Sequence, residues 1–229
     1  MQTHAWKIFG GTHMNILVIG ANGQVGKEII TQLKQTEHQS TALVRKKEQV
    51  EELKSLGANH VVLGDLEEDF SHAFENIDTV IFAAGSGGST GADKTLLIDL
   101  WGTKKAVDYA KSSGVTHFIQ LSAADSLDVD EESEKMKPYA VAKNMSDFYV
   151  EKSDLPYTIV RPGPMNNDKA LGKIELHPTR KDHFNDYLIT RQDVAQVLVQ
   201  TIGNEKLFGK SFYIKQGEHS IDKALNTTF

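Results

Sequence analysis

The chain has 229 residues, 39% of them apolar and 24% charged, with a formal net charge of −6. That balance is ordinary for a globular chain long enough to bury a core without covalent staples. The sequence holds no cysteine, which excludes disulfides, thiolate catalysis and Cys-based metal centres. Acidic and basic residues are mixed, so no basic stripe offers itself to nucleic acid, and no apolar run approaches the ~20 residues that span a bilayer.

Residues 1–13 lack the apolar core of a signal peptide and read as a leader or loose extension, with the working domain, 14–229, starting at a second methionine, Met14. From there short apolar runs alternate with longer segments of helical period, the pattern of βαβ units. Residues 15–19 (NILVI) read as a fully buried first strand and 24–34 as a helix with Val25, Ile29, Ile30 and Leu33 on one face. Further strands are expected at 40–44, 60–63, 79–82, 117–121, 158–160 and 211–215. Helices are expected at 46–55, briefly near 70–74, and at 93–113, 138–152 and 191–202, with a short one closing the chain. The acidic stretch 128–134 reads as a solvated loop. Segment 164–188 has little periodicity and reads as an excursion that covers substrate.

Between the first strand and first helix lies Gly20-Ala-Asn22-Gly23-Gln24-Val25-Gly26. A pyrophosphate needs backbone N–H groups that can be approached closely at the positive end of a helix. Gly20 supplies the tight turn, Gly23 the close approach and Gly26 the helix–strand packing, so the turn, with the backbone of Asn22, Gln24 and Val25, is expected to hold a dinucleotide. A solvated glycine-rich turn is the plain alternative. The second strand ends Leu43-Val44-Arg45, where an NAD site carries a carboxylate; Arg45 favours a 2′-phosphate instead, hence NADP(H) over NAD(H). Small residues Ala83, Ala84 and Gly85 after the fourth strand leave room for a cofactor, although they also serve tight sheet packing.

Tyr139-Ala-Val-Ala-Lys143 puts a phenol and an ammonium four residues apart on one helix face. The lysine charge is expected to favour phenolate and tune Tyr139 as an acid/base. With the glycine turn and the strand pattern, the chain after Met14 resembles the atypical and extended short-chain dehydrogenase/reductases, above all the small NAD(P)H-binding group with NmrA-like, flavin-reductase-like and epimerase-like members. The resemblance implies a single-domain α/β fold, a doubly wound parallel sheet (Rossmann fold) of six or seven strands. It implies that Asp65, with its neighbour Leu66, meets adenine, though helix capping is an equal alternative for Asp65. It implies that Tyr139 and Lys143 face the nicotinamide, and that Arg161-Pro162-Gly163-Pro164 turns against it. The family's substrate-polarising hydroxyl falls just past the fifth strand, where this chain reads Ser122-Ala123-Ala124; Ser122 is the candidate, with Ser126 reaching in or no assisting hydroxyl as the alternatives. The histidines form no metal-ligand pattern, and no metal is expected. The expected function is a cytoplasmic NADP(H)-dependent oxidoreductase of a small molecule, monomer or homodimer, with no nucleic-acid or membrane partner. The alternative is a non-catalytic redox sensor of the NmrA-like type.

Overall fold

The structure, a computed structural model, describes residues 13–87 and 90–229. The expected leader thus lies outside the described residues except for His13, as do Gly88 and Ser89.

In chain order the strands are β1 Asn15–Ile19, β2 Gln39–Val44, β3 His60–Leu63, β4 Thr79–Phe82, β5 His117–Leu121, β6 Tyr157–Pro162, β7 Met165–Asn166, β8 Lys173–His177, β9 Ile189–Thr190, β10 Lys210–Gln216 and β11 His219–Ser220. The helices are α1 Gln24–Leu33, α2 Val50–Leu56, α3 Ala92–Lys94, α4 Thr103–Ser112, α5 Lys137–Glu151, α6 Arg191–Thr201 and α7 Ile221–Thr227. Between α3 and α4 the chain continues as a π-helical stretch, Thr95–Gly102, so residues 92–112 form one helix with a widened middle.

Among the described residues nine strands share one sheet, in the order β11-β8-β10-β6-β5-β4-β1-β2-β3. The run from β3 to β10 is parallel throughout. Strand order reverses between β1 and β4, so the crevice at the carboxyl ends of these strands opens there. Successive side chains of β1 serve opposite faces: Ile16 and Val18 join a core beneath α1 and α6, while Leu17 and Ile19 join a second core with Phe70, Phe74, Phe82 and Phe118. Burial on both faces is why these strands read as unbroken apolar runs. Helix α1 buries Val25, Ile29, Ile30 and Leu33, as its periodicity implies. Helix α2 stops where Gly57, at φ 118°, turns back to bond Leu53 O and Lys54 O.

Two expectations are corrected. The sheet has more than seven strands, because segment 164–188 is not a plain excursion: it contains β8, antiparallel to β10. Ile174 and Leu176 of β8 point into the core while its other residues remain partly exposed, a period-two signal in K-I-E-L-H too short to stand out. The rest of the segment is anchored as well, since Asp193 accepts the N–H groups of Leu171 and Gly172 at 3.1 and 2.8 Å. The second helix is also shorter than expected, because residues 47–49 form a single 3-10 turn before α2.

Candidate active site

The glycine turn leaves β1 at the point where the strand order reverses. Gly20 adopts φ +85°, and a Cβ there would lie 2.5 Å from Ala84 N. A Cβ on Gly26 would lie 2.1 Å from Gly20 O. Both positions are therefore demanded by packing within the turn, and Ala84 is small because Gly20 lies against it. Gly23 differs: it is exposed, extended at φ −70°, and a Cβ on it would meet only Gly20 O, at 3.2 Å. The surface in front of Gly23 is a bare cradle at the start of α1, and Asn22 beside it keeps a buried Oδ1 without a hydrogen-bond partner among the described residues. These features fit the pyrophosphate of a dinucleotide. Val25 sends its side chain into the core and can offer only backbone. Gln24 Oε1 accepts from Asn167 Nδ2 at 3.1 Å, and Asn167 Oδ1 accepts from Arg191 at 2.9 Å. Sequence reasoning missed this polar chain from the turn to the start of α6, because its members are far apart in sequence.

Around the turn, Arg45 is exposed at the end of β2. Asp65 caps its own turn, its Oδ1 accepting Glu67 N–H at 3.0 Å, with Leu66 partly buried beside it. Ala83 continues the sheet by donating its N–H to Ile19 O. Pro162 ends β6 and accepts Ala124 N–H at 2.8 Å, and Gly163 follows, partly exposed.

Helix α5 begins with Pro138 in its first turn, where the missing N–H is no loss. Four residues apart, Tyr139 and Lys143 share a face, with Lys143 Nζ 5.7 Å from the Tyr139 ring centre. Lys143 is 4% exposed and donates to Leu121 O, at the end of β5, at 3.5 Å. Its counter-charge is Asp99, wholly buried, whose Oδ1 lies 3.4 Å from Nζ. Asp99 Oδ2 accepts Ser86 N–H at 2.9 Å, and Thr103 donates to Asp99 O at 2.7 Å. The π-helical stretch carries Asp99 against α5 and ties the loop after β4 to the lysine. π-Helical turns recur at functional sites. A lone carboxylate inside the apolar run TLLIDLW was the available signal.

A second buried carboxylate stands on α5 one turn beyond Lys143. Asp147, 1% exposed, accepts from Ser122 Oγ at 2.8 Å, Ser126 Oγ at 3.4 Å, Gln120 Nε2 at 2.9 Å and Arg161 Nε at 2.9 Å. Burial pushes the Asp147 carboxyl above its ordinary range against these donors, while the same carboxylate helps hold Arg161 charged. Two expectations change here. Both candidate hydroxyls, Ser122 and Ser126, donate inward to Asp147, so neither presents its O–H to an acceptor. Arg161 is likewise turned inward, pinning α5 to β6.

The electrostatics of Tyr139 also run against expectation. Burial pushes the phenol up; Lys143 opposes, but Asp99, Asp125 and Asp147 add to the rise. Burial works against the Lys143 ammonium, yet Tyr139, Asp99 and Asp147 hold it above its ordinary value. The pair as built is a protonated phenol beside a firmly charged lysine.

Among the described residues no helix is long and apolar enough to cross a membrane. Residues 20–205 match the family described as NAD(P)H-binding. The chain is 38% identical over 216 residues to the uncharacterized sugar epimerase YhfK of Bacillus subtilis, which covers 93% of this chain and 99% of that protein. A solved structure from Bacillus halodurans, described as an NAD-dependent epimerase/dehydratase, is 43% identical and superposes with a TM-score of 0.90 over 93% of this chain and 98% of that one. The oxidoreductase ylbE of Lactococcus lactis is 29% identical, with a TM-score of 0.79 over 94% and 96% of the two chains. With the glycine cradle at the sheet's switch point and a family match spanning most of its length, this chain is a member of the NAD(P)H-binding family.

Proposed function

We propose that the protein is an NADP(H)-dependent oxidoreductase of the short-chain dehydrogenase/reductase type, acting on a small carbonyl, quinone or flavin-like acceptor. The observation that carries this reading is the Tyr139–Lys143 pair, locked by Asp99 at the carboxyl ends of β4 and β5, in a chain whose glycine cradle suits a dinucleotide. Backbone N–H groups of Asn22 to Val25 would hold the pyrophosphate, Arg45 the 2′-phosphate, Asp65 and Leu66 the adenine, and Lys143 the nicotinamide ribose. The backbone of Gly85, Pro162 and Gly163 borders the nicotinamide end. When bound, the nicotinamide supplies or accepts hydride. Tyr139, kept protonated by burial and neighbouring carboxylates, holds the proton that a carbonyl oxygen takes up on reduction. Lys143 fixes the phenol's electrostatic setting, and Asp99 fixes Lys143. The kinship with an oxidoreductase over 94% of the chain supports the same reading.

The test is a panel of carbonyls, quinones and flavins followed by NADPH absorbance, run beside NADH. Tyr139→Phe should retain cofactor binding and lower turnover by about 10²- to 10⁴-fold with a carbonyl acceptor. Tight NADPH binding with no acceptor consumed would favour the redox-sensor reading instead. One observation speaks for that second reading: Ser122, the expected polarising group, donates its hydroxyl proton to Asp147.

A further inference from the structure

We propose that Arg191 is a positioning residue for the cofactor: acting through Asn167, it orients the side-chain amide of Gln24 as a donor to the pyrophosphate. The inference rests on the cofactor reading above and extends it beyond the backbone of the glycine turn. The chain has four arginines. Arg161 is tied to Asp147 and Glu151, and Arg180 to Asp128. Among the described residues Arg45 and Arg191 have no carboxylate partner. These two stand on opposite sides of α1. Lys27 of α1 pairs with Glu52 of α2, the helix that follows Arg45, at 2.6 Å, whereas Gln32 of α1 donates to Gln192 O of α6, beside Arg191, at 3.0 Å. A 2′-phosphate gripped by Arg45 therefore leaves Arg191 without that role.

A two-stranded sheet fixes where Arg191 sits. β7 runs parallel to β9, with Met165 opposite Ile189 and Asn166 opposite Thr190, so Asn167 and Arg191 are the next residues on adjoining strands. The pair hangs from the turn at the nicotinamide end, because Ile189 N–H donates to Pro164 O at 3.2 Å. Thr190 Oγ1 accepts Asp193 N–H at 3.0 Å and donates to the Asp193 carboxylate at 2.8 Å, which locks the start of α6. From this frame Arg191 Nη1 donates to Asn167 Oδ1 at 2.9 Å, and Asn167 Nδ2 donates to Gln24 Oε1 at 3.1 Å. Gln24 is exposed and follows Gly23 directly, and its Nε2 has no partner among the described residues.

The direction of this chain follows from the guanidinium. An arginine N–H can only donate, so Asn167 must turn its carbonyl to Arg191 and its NH2 to Gln24. Gln24 must then offer its carbonyl to Asn167, which leaves its own NH2 as the free end beside the bare surface of Gly23. The positive charge at the other end polarises both amides in the same sense and strengthens that donor. Gln24, Asn167 and Arg191 border a cleft of about 330 Å³ between the starts of α1 and α6, so the space beside the amide is open to a ligand. Glu28 and Asp168 border the same cleft, and an unanchored Gln24 amide would turn its NH2 toward these carboxylates. Anchored by Arg191, it keeps two N–H donors for an anion, and hydrogen bonds to a charged acceptor are the strong kind.

The experiment measures Kd by calorimetry for NADPH, for ADP-ribose, which keeps the pyrophosphate, and for 2′-AMP, which lacks it. Gln24→Ala should weaken NADPH and ADP-ribose by about 5- to 20-fold, and Arg191→Met, of similar length but with no donor, by about 3- to 10-fold. Binding of 2′-AMP should change by less than about 2-fold in both, and Arg191→Lys, again a pure donor, should recover most of the loss. In the double variant the losses should not add, because Arg191 acts through Gln24. Asn167→Ala, at an exposed position, breaks the same chain and serves if the Arg191 variant fails to fold. Unchanged NADPH and ADP-ribose binding in Arg191→Met, an equal loss for 2′-AMP, or additive losses in the double variant overturns the inference while leaving the redox reading intact. Failure of the parent protein to bind NADPH and ADP-ribose removes the cofactor reading and this inference with it.

Discussion

Alanine at Gly23 and at Gly26 separates the cofactor cradle from the fold. At Gly26 a Cβ would sit 2.1 Å from Gly20 O and 2.7 Å from Ala21 Cα, contacts with backbone that cannot yield cheaply. The turn must open or α1 must lift from β1, an overpacking effect of about 1–3 kcal/mol or more, present with or without cofactor. At Gly23 the only close atom among the described residues is Gly20 O at 3.2 Å, and φ −70°, ψ 165° suits any L-residue. Alanine there forgoes the modest preference for glycine at a helix N-cap but restricts the unfolded chain by about 0.4–1 kcal/mol, so stability should change little. The new methyl group nevertheless occupies the cradle. Losing one or two charge-assisted N–H contacts at about 1.5–3 kcal/mol each should raise the NADPH Kd by about 10- to 100-fold or more. Urea denaturation of the apoprotein and fluorescence titration with NADPH measure the two effects independently. If Gly23→Ala binds NADPH as tightly as the parent, the pyrophosphate does not rest on this turn, and the cofactor assignment fails.

Further outcomes follow from the charges and their partners. Arg45→Ala should weaken NADPH by at least about 10-fold and NADH by less than about 2-fold; equal loss for both would show that Arg45 does not read the 2′-phosphate. Asp99→Asn removes a charge that holds the Lys143 ammonium up, so the alkaline limb of the activity profile should move to lower pH; an unmoved limb refutes the coupling. Asp147→Ala leaves the buried Arg161 guanidinium with Glu151 as its remaining carboxylate, at 3.4 Å, and should destabilise the fold by about 3 kcal/mol in urea denaturation. His117, whose pKa burial lowers to about 3, stays neutral in the folded chain while the unfolded chain gains a proton near pH 6.5. Its contribution to stability is therefore complete above the unfolded value and is lost as pH falls below it, by about 2 kcal/mol between pH 7 and 5. His117→Gln should flatten that part of the wild-type pH dependence, and an unchanged slope would refute the assignment.

Strand burial and turn chemistry are local properties, and they are written in the chain. Ile16 to Ile19 of β1 are apolar enough to be buried on both faces, Gly20 and Gly26 stand where any side chain would strike backbone, and four-residue spacing alone puts Tyr139 and Lys143 on one face of α5. Partnership between distant charges is not local, and the tertiary structure decided it. Asp99 meets Lys143 across 44 positions because a widened helical turn carries it there. Ser122 turns inward because Asp147, 25 residues later, accepts its hydrogen bond together with those of Arg161 and Gln120. The rise in the Tyr139 pKa has the same origin: the lysine was visible at its side, whereas burial and the surrounding carboxylates exist only once the sheet has brought them together. Short strands such as β8 lie between these cases, since their alternation is faint until β10 provides the edge on which they pair.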